Sequence, residues 1–226
     1  MRNKYILLVI FLAIFGFNAA AQQDSTVMKM SGENGKSWFK LNSVSLSAGY
    51  YSPSMDYFNT AFLPGFGQTT DRFSGAIQYG ANVSFDLPVN LGARVSASYW
   101  DKSVSGHGVT FNSLKVSLTT VSLGAFYTYN KGFMGLKPYA GIDGGALSIQ
   151  NQYDANATVI KKTGNDITWT PFAGVKYDIA GKIVIGLEYG YVLGTYGQDF
   201  QLNSALQNHK ISVEGSKILF SVGYKF

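Results

Sequence analysis

The chain has 226 residues and a net charge of +5, with only 14% charged side chains against 46% hydrophobic and 15% aromatic ones. A soluble domain carries roughly 25% charged residues, so this composition disfavours an exterior that faces water throughout. The chain has no cysteine, which excludes disulfides, thiol catalysis and cysteine-ligated metals. Beyond residue 4, its 16 basic and 13 acidic residues are too balanced and too scattered to indicate nucleic-acid binding.

Residues 1–21 have the three parts of a secretory signal peptide. Arg2 and Lys4 form a short positive segment, residues 5–17 are continuously apolar, and three alanines at 19–21 precede Gln22. The apolar run is too short for a spanning helix, which needs about 20 residues. We therefore predict cleavage after Ala21, followed by a polar lead-in segment at residues 22–42.

From residue 43 onward, apolar residues alternate with polar or small ones, which is typical of strands because successive side chains point to opposite faces. Eight strands are predicted in chain order: 43–51, 75–87, 91–100, a fourth ending at 129, 138–147, 168–178, 183–192 and 217–226. Charged residues interrupt every later apolar run that could form a spanning helix. A membrane location therefore requires a closed barrel, since an open sheet edge cannot lie in lipid.

The connections alternate in length. Residues 88–90, 130–137 and 179–182 are short turns, whereas 52–74, 101–113, 148–167 and 193–216 are long, and the last two could include strand extensions. Outer-membrane barrels have this arrangement, with the short turns on the periplasmic side. Aromatic residues near both ends of the strands predict two girdles. The outer girdle is Tyr50, Tyr79, Tyr99, Trp169 and Tyr191; the periplasmic one is Phe85, Tyr127, Tyr129, Tyr177, Tyr224 and Phe226.

The fourth strand has one irregularity, because its apolar phase changes at Thr119-Thr120. Either a β-bulge lies there, or the residues before Thr119 project beyond the membrane; we favour the second. A soluble lipocalin-like barrel, with its apolar face inward, is the competing interpretation of the whole pattern. The low charge, the aromatics at both strand ends and the Gly, Ser and Arg residues on the opposite face favour the membrane barrel.

The pattern resembles the small eight-stranded outer-membrane β-barrels, such as the OmpA transmembrane domain, OmpX and the opacity proteins. The resemblance covers residues 43–226 and includes Lys137-Pro138-Tyr139-Ala140-Gly141. The final strand is similar to the signal read by the barrel-assembly machinery, with Tyr224 and Phe226 at its aromatic positions and Ser221 where glycine is usual. The resemblance implies an all-β, antiparallel up-and-down barrel in the bacterial outer membrane. It also implies lipopolysaccharide and the assembly machinery as partners. The polar composition of residues 22–42 predicts that they form a periplasmic segment.

An eight-stranded barrel has an interior just wide enough to be filled by side chains, and buried charges require partners there. We predict that Arg94 lies near Glu188 and Asp86, and that Glu188 also lies near Lys176. Whether the network only fills the lumen or lines a narrow ion path is open. Its predicted members are Asp86, Arg94, Asp143, Lys176, Glu188 and Lys217.

The segment 52–74 is rich in aromatics for an exposed loop. It is a candidate contact surface for a protein partner, with Tyr57, Phe58, Phe62 and Phe66 as its members. Equally, it could fold over the barrel mouth or dip into the lipopolysaccharide layer.

Little in the chain indicates an enzyme. Both histidines, His107 and His209, are predicted in loops, with no serine and acid spaced as in a triad and no clustered metal ligands. We expect no catalytic residue, metal or cofactor. The predicted role is structural or adhesive through the extracellular loops, and the alternative is a small porin-like channel.

Overall fold

Eight strands close into one antiparallel barrel, and two further strands form a separate hairpin. The computed structural model describes residues 39–66, 70–107, 111–130, 132–155, 158–202 and 205–226. The barrel strands are β1 (Lys40–Pro53), β2 (Ala76–Asp86), β3 (Leu91–Ser105), β4 (Phe111–Thr128), β5 (Leu136–Ala155), β6 (Thr158–Ile179), β7 (Ile183–Val192) and β10 (Gly215–Lys225). The hairpin consists of β8 (Thr195–Leu202) and β9 (Ala205–Ser212). The predicted eight-stranded up-and-down barrel is confirmed.

The barrel begins earlier than the predicted residue 43, because Lys40 already pairs with Asp86 of β2. A register irregularity between Leu41 and Ser43 accommodates this start. Phe39 stacks on Phe85, with ring centroids 4.4 Å apart, just before the first strand. The predicted signal peptide and the lead-in segment up to residue 38 lie outside the described residues.

The outer surface of the barrel is apolar and its inner surface is polar. Leu46, Tyr79 and Phe220 are each more than half exposed on the outside, whereas Ser45, Gln78 and Thr170 are buried inside. This orientation is the opposite of a lipocalin-like barrel, so that interpretation is wrong. The outward row continues on every strand, for example Ile77, Leu123, Ile142, Leu187, Ile218 and Val222.

Two predicted long loops, 101–113 and 148–167, are mostly strand. β3 continues to Ser105 and β4 starts at Phe111, while β5 and β6 pair as far as Ala155↔Thr158. These extensions form because their inward apolar side chains are buried in a second core, which lies inside the extracellular end of the barrel. Val104 and Ile149, for example, are almost completely buried. The predicted loop 193–216 likewise contains the β8–β9 hairpin.

The phase change in β4 is not a bulge. The β3–β4 register runs without a shift from Leu91↔Tyr127 to Ser105↔Ser113. What changes is the environment. Thr120 and Ser122 line the lumen, whereas Leu114, Val116 and Leu118 point the same way and are buried in the second core.

Helical structure is confined to short segments, a π-helix at Phe58–Phe62 and 3-10 turns at Pro64–Phe66 and Phe133–Gly135. None of the helices in the described part of the chain is long and apolar enough to cross a membrane.

Candidate functional site

The periplasmic half of the lumen contains a polar cavity of about 90 Å³. Serine and threonine hydroxyls supply much of its wall, and a volume of this size holds several waters. The cavity reaches Ser84 and Val184, close to the periplasmic ends of β2 and β7, and on the other side it stops at Tyr51 and Trp100. It is therefore a polar vestibule with an apolar end wall.

Arg94 bridges the lumen in the centre of this cavity. Its Nε and Nη2 donate to the two carboxylate oxygens of Asp143 at 2.8 and 2.6 Å, and its Nη1 and Nη2 donate to Glu188 at 2.5 and 3.1 Å. The guanidinium also lies 3.6 Å from the centre of the Phe172 ring. One cation thus satisfies two buried carboxylates from β5 and β7, the arrangement that makes buried charge tolerable.

The position of Asp143 opposite Arg94 depends on Gly124, which separates them in the register of β3, β4 and β5. A Cβ atom at Gly124 would collide with the Asp143 carboxylate. Sequence reasoning placed Asp143 in the network but gave it no partner. The signal that could have found the pair is this glycine, which leaves space between two inward-facing opposite charges.

The other predicted members of the network lie elsewhere. Lys176 lies over the rings of Phe126 and Tyr139, at 4.2 and 4.4 Å from their centres, instead of pairing with Glu188. A third hydrogen bond to Glu188, besides the two from Arg94, comes from the Tyr139 hydroxyl, which donates at 3.0 Å. An aromatic face attracts a cation, so Lys176 is stabilised without a carboxylate.

Asp86 is not a partner of Arg94, contrary to the prediction. Both of its oxygens accept hydrogen bonds from the Asn42 amide at 2.8 Å, at the end of β2. Because β1 starts earlier than predicted, Asn42 lies within hydrogen-bond distance of Asp86 and takes the place that was expected for Arg94. Lys217 lines the same cavity, and among the described residues no carboxylate lies within 4 Å of its ammonium group.

The extracellular half of the barrel is filled by a large apolar core. Inward side chains of β3, β4 and β5 meet the segment after β1 and the β8–β9 hairpin there. Trp100 is 1% exposed, and its indole N–H donates to the Tyr51 carbonyl at 3.2 Å. The members with under 2% exposure are Met55, Phe58, Leu63, Trp100, Val104, Phe111, Leu114, Val116, Ile149, Tyr196, Ile211 and Val213.

The aromatic residues of the first loop do not form one exposed contact surface. Phe58 and Phe62 are 0% and 2% exposed, so their proposed role in contacting a partner is wrong. Their rings pack edge to face with centroids 5.7 Å apart, because burying these apolar rings in the barrel mouth removes them from water. Tyr57 and Phe66 are partly buried against the same core.

A small polar cluster lies within this core. The Asn151 amide donates to the Tyr196 hydroxyl at 3.1 Å and makes a short hydrogen bond to Gln198 Oε1. Asn151 Oδ1 and Gln198 Nε2 have no hydrogen-bond partner among the residues that the structure describes. Burial raises the pKa of the Tyr196 hydroxyl, since a phenolate would lose its solvation, and the Asn151 hydrogen bond acts in the opposite direction. These contacts connect the hairpin to β5.

β6 has an unpaired edge on the extracellular side. Its pairing with β7 covers only Phe172 to Ile179, with one further bridge at Trp169↔Leu193, while its pairing with β5 continues to Thr158. The N–H and C=O of Trp169 point away from β5, to Leu193. In an antiparallel sheet alternate residues point the same way, so the same groups of Asn165, Thr163, Lys161 and Val159 point to the free side.

No backbone partner lies on that side of these four residues in the part of the chain that the structure describes. The chain leaves the barrel wall at Leu193, and the hairpin packs against the inner face of β6. A Cβ atom at Gly164 would lie 3.6 Å from the Tyr196 ring. Among the described residues β8 pairs only with β9 and forms no ladder with β6.

The two histidines lie in unrelated surroundings. His107 pairs with Asp71 at 3.3 Å on the exposed surface, and His209 stacks on Tyr57 with ring centroids 4.2 Å apart. No group of three or more metal-ligating side chains occurs among the described residues.

The C-terminal aromatics lie on the outer surface at the periplasmic end. Tyr224 and Phe226 are each 49% exposed, with ring centroids 5.2 Å apart. Phe226 N–H donates to the Asn42 carbonyl at 2.9 Å, which completes the contact of β10 with β1. Their role in assembly stays a prediction.

An apolar outer wall, aromatic residues on both rims and a polar interior define a transmembrane β-barrel. The chain matches the family described as outer membrane protein beta-barrel domain over residues 7–226, and it belongs to that family. It is a protein of the bacterial outer membrane.

Solved structures agree on the fold. The outer membrane protein OprG from Pseudomonas aeruginosa is 13% identical, with a TM-score of 0.56 over 83% of this chain and 97% of that chain. A major outer membrane protein from Thermus thermophilus is 10% identical, with a TM-score of 0.54 over 82% of this chain and 98% of that chain. A comparison with curated protein sequences gave no match.

Proposed function

We propose that the protein is a non-enzymatic outer-membrane barrel that binds a partner outside the cell through the free edge of β6. The observation that carries this proposal is the row of unpaired backbone groups at Val159, Lys161, Thr163 and Asn165. An exposed edge offers N–H and C=O groups to an incoming extended peptide, which adds to the sheet as a further strand.

The edge has a length suited to such a partner. Residues 159–165 span about 20 Å at roughly 3.3 Å per residue, which is the length of an ordinary strand. Side chains at Lys161, Thr163 and Asn165 are exposed on the outer face of the sheet. Lysine on a free edge discourages pairing with a second copy of the same edge, so it favours a partner with acidic or polar side chains.

In this arrangement the edge of the sheet, and not the first extracellular loop, contacts the partner. The predicted loop surface loses Phe58 and Phe62 to the core, whereas the β6 edge stays outside. Scaffold-supported surfaces bind with less ordering cost than mobile loops, since their backbone is already fixed.

Photocrosslinking in living cells tests the proposal. A photoreactive phenylalanine analogue at Thr163 is compared with one at Gln150, its register partner on β5, which has strands on both sides. We expect a protein adduct at least fivefold stronger at Thr163. Thr163→Pro, read with the analogue moved to Lys161, removes one edge N–H and is expected to abolish the adduct, whereas Thr163→Ser keeps it. Equal adducts at both positions, or full binding by the proline variant, would contradict the proposal.

We further propose that the barrel does not conduct ions. The support is the extracellular core, in which Trp100, Leu118 and Leu147 close the end of the polar cavity. An apolar, close-packed constriction excludes hydrated ions, because desolvating an ion there is very costly. We expect no single-channel conductance above background in planar bilayers. Regular unitary steps that persist with the purified wild-type barrel would support the porin-like alternative.

A further inference from the structure

Two neighbouring periplasmic turns carry large apolar side chains at their tips. Val89 in the β2–β3 turn is 81% exposed, and Phe133 and Met134 in the β4–β5 turn are 80% and 75% exposed. No other large apolar side chain in the described residues is as exposed as these three. We call Val89, Phe133 and Met134 the apolar rim.

Hydrogen bonds join the two turns into one surface. The Asn130 amide donates to Asn90 Oδ1 at 2.7 Å, and the Thr128 N–H donates to the Asn90 carbonyl at 2.9 Å. The strands β3 and β4 and these hydrogen bonds therefore hold the two tips side by side.

The backbone at these tips favours other residues. Val89 and Asn90 both have positive φ, at 60° and 62°, and Met134 has φ 54°. A two-residue hairpin turn of this kind takes Asn and Gly, and a β-branched residue there is an outlier. The positive φ of Val89 therefore has a conformational cost. A side chain that only faced water would make no interaction to offset that cost.

The opposite side of the same rim is charged. Asp178 accepts hydrogen bonds from Lys137 at 2.9 Å and Lys225 at 2.6 Å, and the β6–β7 turn contains Ala180, Gly181 and Lys182. The periplasmic end is therefore most apolar at the exposed tips Val89, Phe133 and Met134, although the β4–β5 connection also contains Lys131. The ion pairs of Asp178 join β5, β6 and β10, and the β6–β7 turn carries Lys182 without a large apolar side chain.

We propose that the apolar rim inserts into the inner leaflet of the outer membrane, at the boundary of its phospholipid headgroups and acyl chains. The rim continues an established interface, since Leu91, Tyr127 and Leu136 directly above it are 45%, 48% and 41% exposed on the lipid-facing wall. The β6–β7 turn, which contains Lys182, stays in the periplasm. The barrel is consequently tilted, with the β2–β5 side deeper in the periplasmic leaflet than the β6–β7 side.

The chain has no cysteine, so single labelled sites can be introduced cleanly. Met134→Cys and the matched turn variant Lys182→Cys, each with a nitroxide, are reconstituted in phospholipid vesicles. Their accessibility to oxygen, which concentrates in lipid, is compared with that to a water-soluble nickel chelate. We expect the oxygen-to-nickel ratio at residue 134 to exceed that at residue 182 by at least fivefold. Val89→Cys is expected to resemble residue 134.

Three results would overturn the proposal. Equal ratios at residues 134 and 182 would place both turns in water. Low accessibility to both reagents at residue 134, with dipolar broadening of the spectrum, would show that a second copy covers the rim. Low accessibility without broadening would show burial within the protein. Heat-dependent gel mobility confirms folding of each variant, and Phe133→Cys replaces Met134→Cys if the latter does not fold.

Discussion

The two halves of the barrel are opposites although the same strands build them. Near the periplasm, β4 points Thr120 and Ser122 inward and Val121 and Leu123 outward. Beyond the membrane it points Leu114 and Val116 inward and the polar Lys115 outward, paired with Asp101. In each half the apolar side chains face the apolar surroundings. These surroundings are lipid outside the periplasmic half and a packed core inside the extracellular half.

The largest effect is expected from breaking the polar half. Arg94→Met leaves Asp143 and Glu188 buried without their cation, so we expect a loss of about 3–5 kcal/mol in the free energy of unfolding. Urea unfolding in lipid vesicles, followed by tryptophan fluorescence, measures it. The exposed Arg72→Met is the control and should change stability by less than about 0.5 kcal/mol. Similar losses for both variants would mean that the Arg94 bridge contributes nothing specific.

Two leucines of β4 test whether apolar side chains face outward in the periplasmic half and inward in the extracellular half. Leu114→Ala opens a cavity in the extracellular core and should cost about 2–5 kcal/mol. Leu123 faces lipid, which fills the space left by Leu123→Ala, so the cost should be at most about 1 kcal/mol. The same unfolding measurement compares them. Equal costs would indicate that both leucines experience the same surroundings, contrary to the structure.

The polar cluster in the apolar half sharpens the contrast. Asn151→Leu leaves the Gln198 amide buried without its partner and should cost about 1–3 kcal/mol, whereas the double variant with Gln198→Leu should recover most of this. Asn165→Leu, at an exposed position of β6, serves as the control. A double variant less stable than the single one would show that the cluster stabilises the hairpin on balance.

The smallest effect is expected on the outer surface of the apolar half. Lys115 and Asp101 pair at 2.7 Å while both remain more than one-third exposed. Lys115→Met should therefore cost about 0.2–1 kcal/mol at low salt, and the difference should largely vanish in roughly 1 M salt because exposed pairs are screened. A salt-independent loss would mean that the lysine stem, not its charge, stabilises the sheet.

Period-two alternation was sufficient to predict the eight wall strands, because a strand in lipid must show one apolar face. It predicted the extensions only in part. The residues before Thr119 were expected to project beyond the membrane, and 148–167 to include some strand, but alternation gave no strand ends there, since Leu114 and Ile149 have the same alternation with the opposite meaning. For Phe58 and Phe62 the sequence left a contact surface and a fold over the barrel mouth equally open, and their burial agrees with the second. A loop rich in aromatics is indistinguishable in sequence from a plug, and only the second core inside the barrel decides between them.

For the interior, the sequence was sufficient to predict which charges face inward, but only one of the pairs that meet. Arg94 and Glu188 were expected to be close, and they hydrogen bond at 2.5 Å. Asp86 hydrogen bonds with Asn42 and not with Arg94, because β1 starts at Lys40 and not at residue 43. Lys176 was lost to two aromatic rings, a kind of partner that counting opposite charges cannot reveal. The β6 edge was missed because alternation describes side chains, and an edge is a property of backbone pairing.

The seam between β1 and β10 joins opposite ends of the described chain, from Ser43↔Lys225 to Pro53↔Gly215. Every intermediate with fewer strands has two unpaired edges, and lipid cannot solvate them. Among the described residues this ladder joins the strands that are farthest apart in sequence, so its loop-closure entropy is the largest of the eight ladders. The wall has no edge exposed to lipid only when the first and last strands meet.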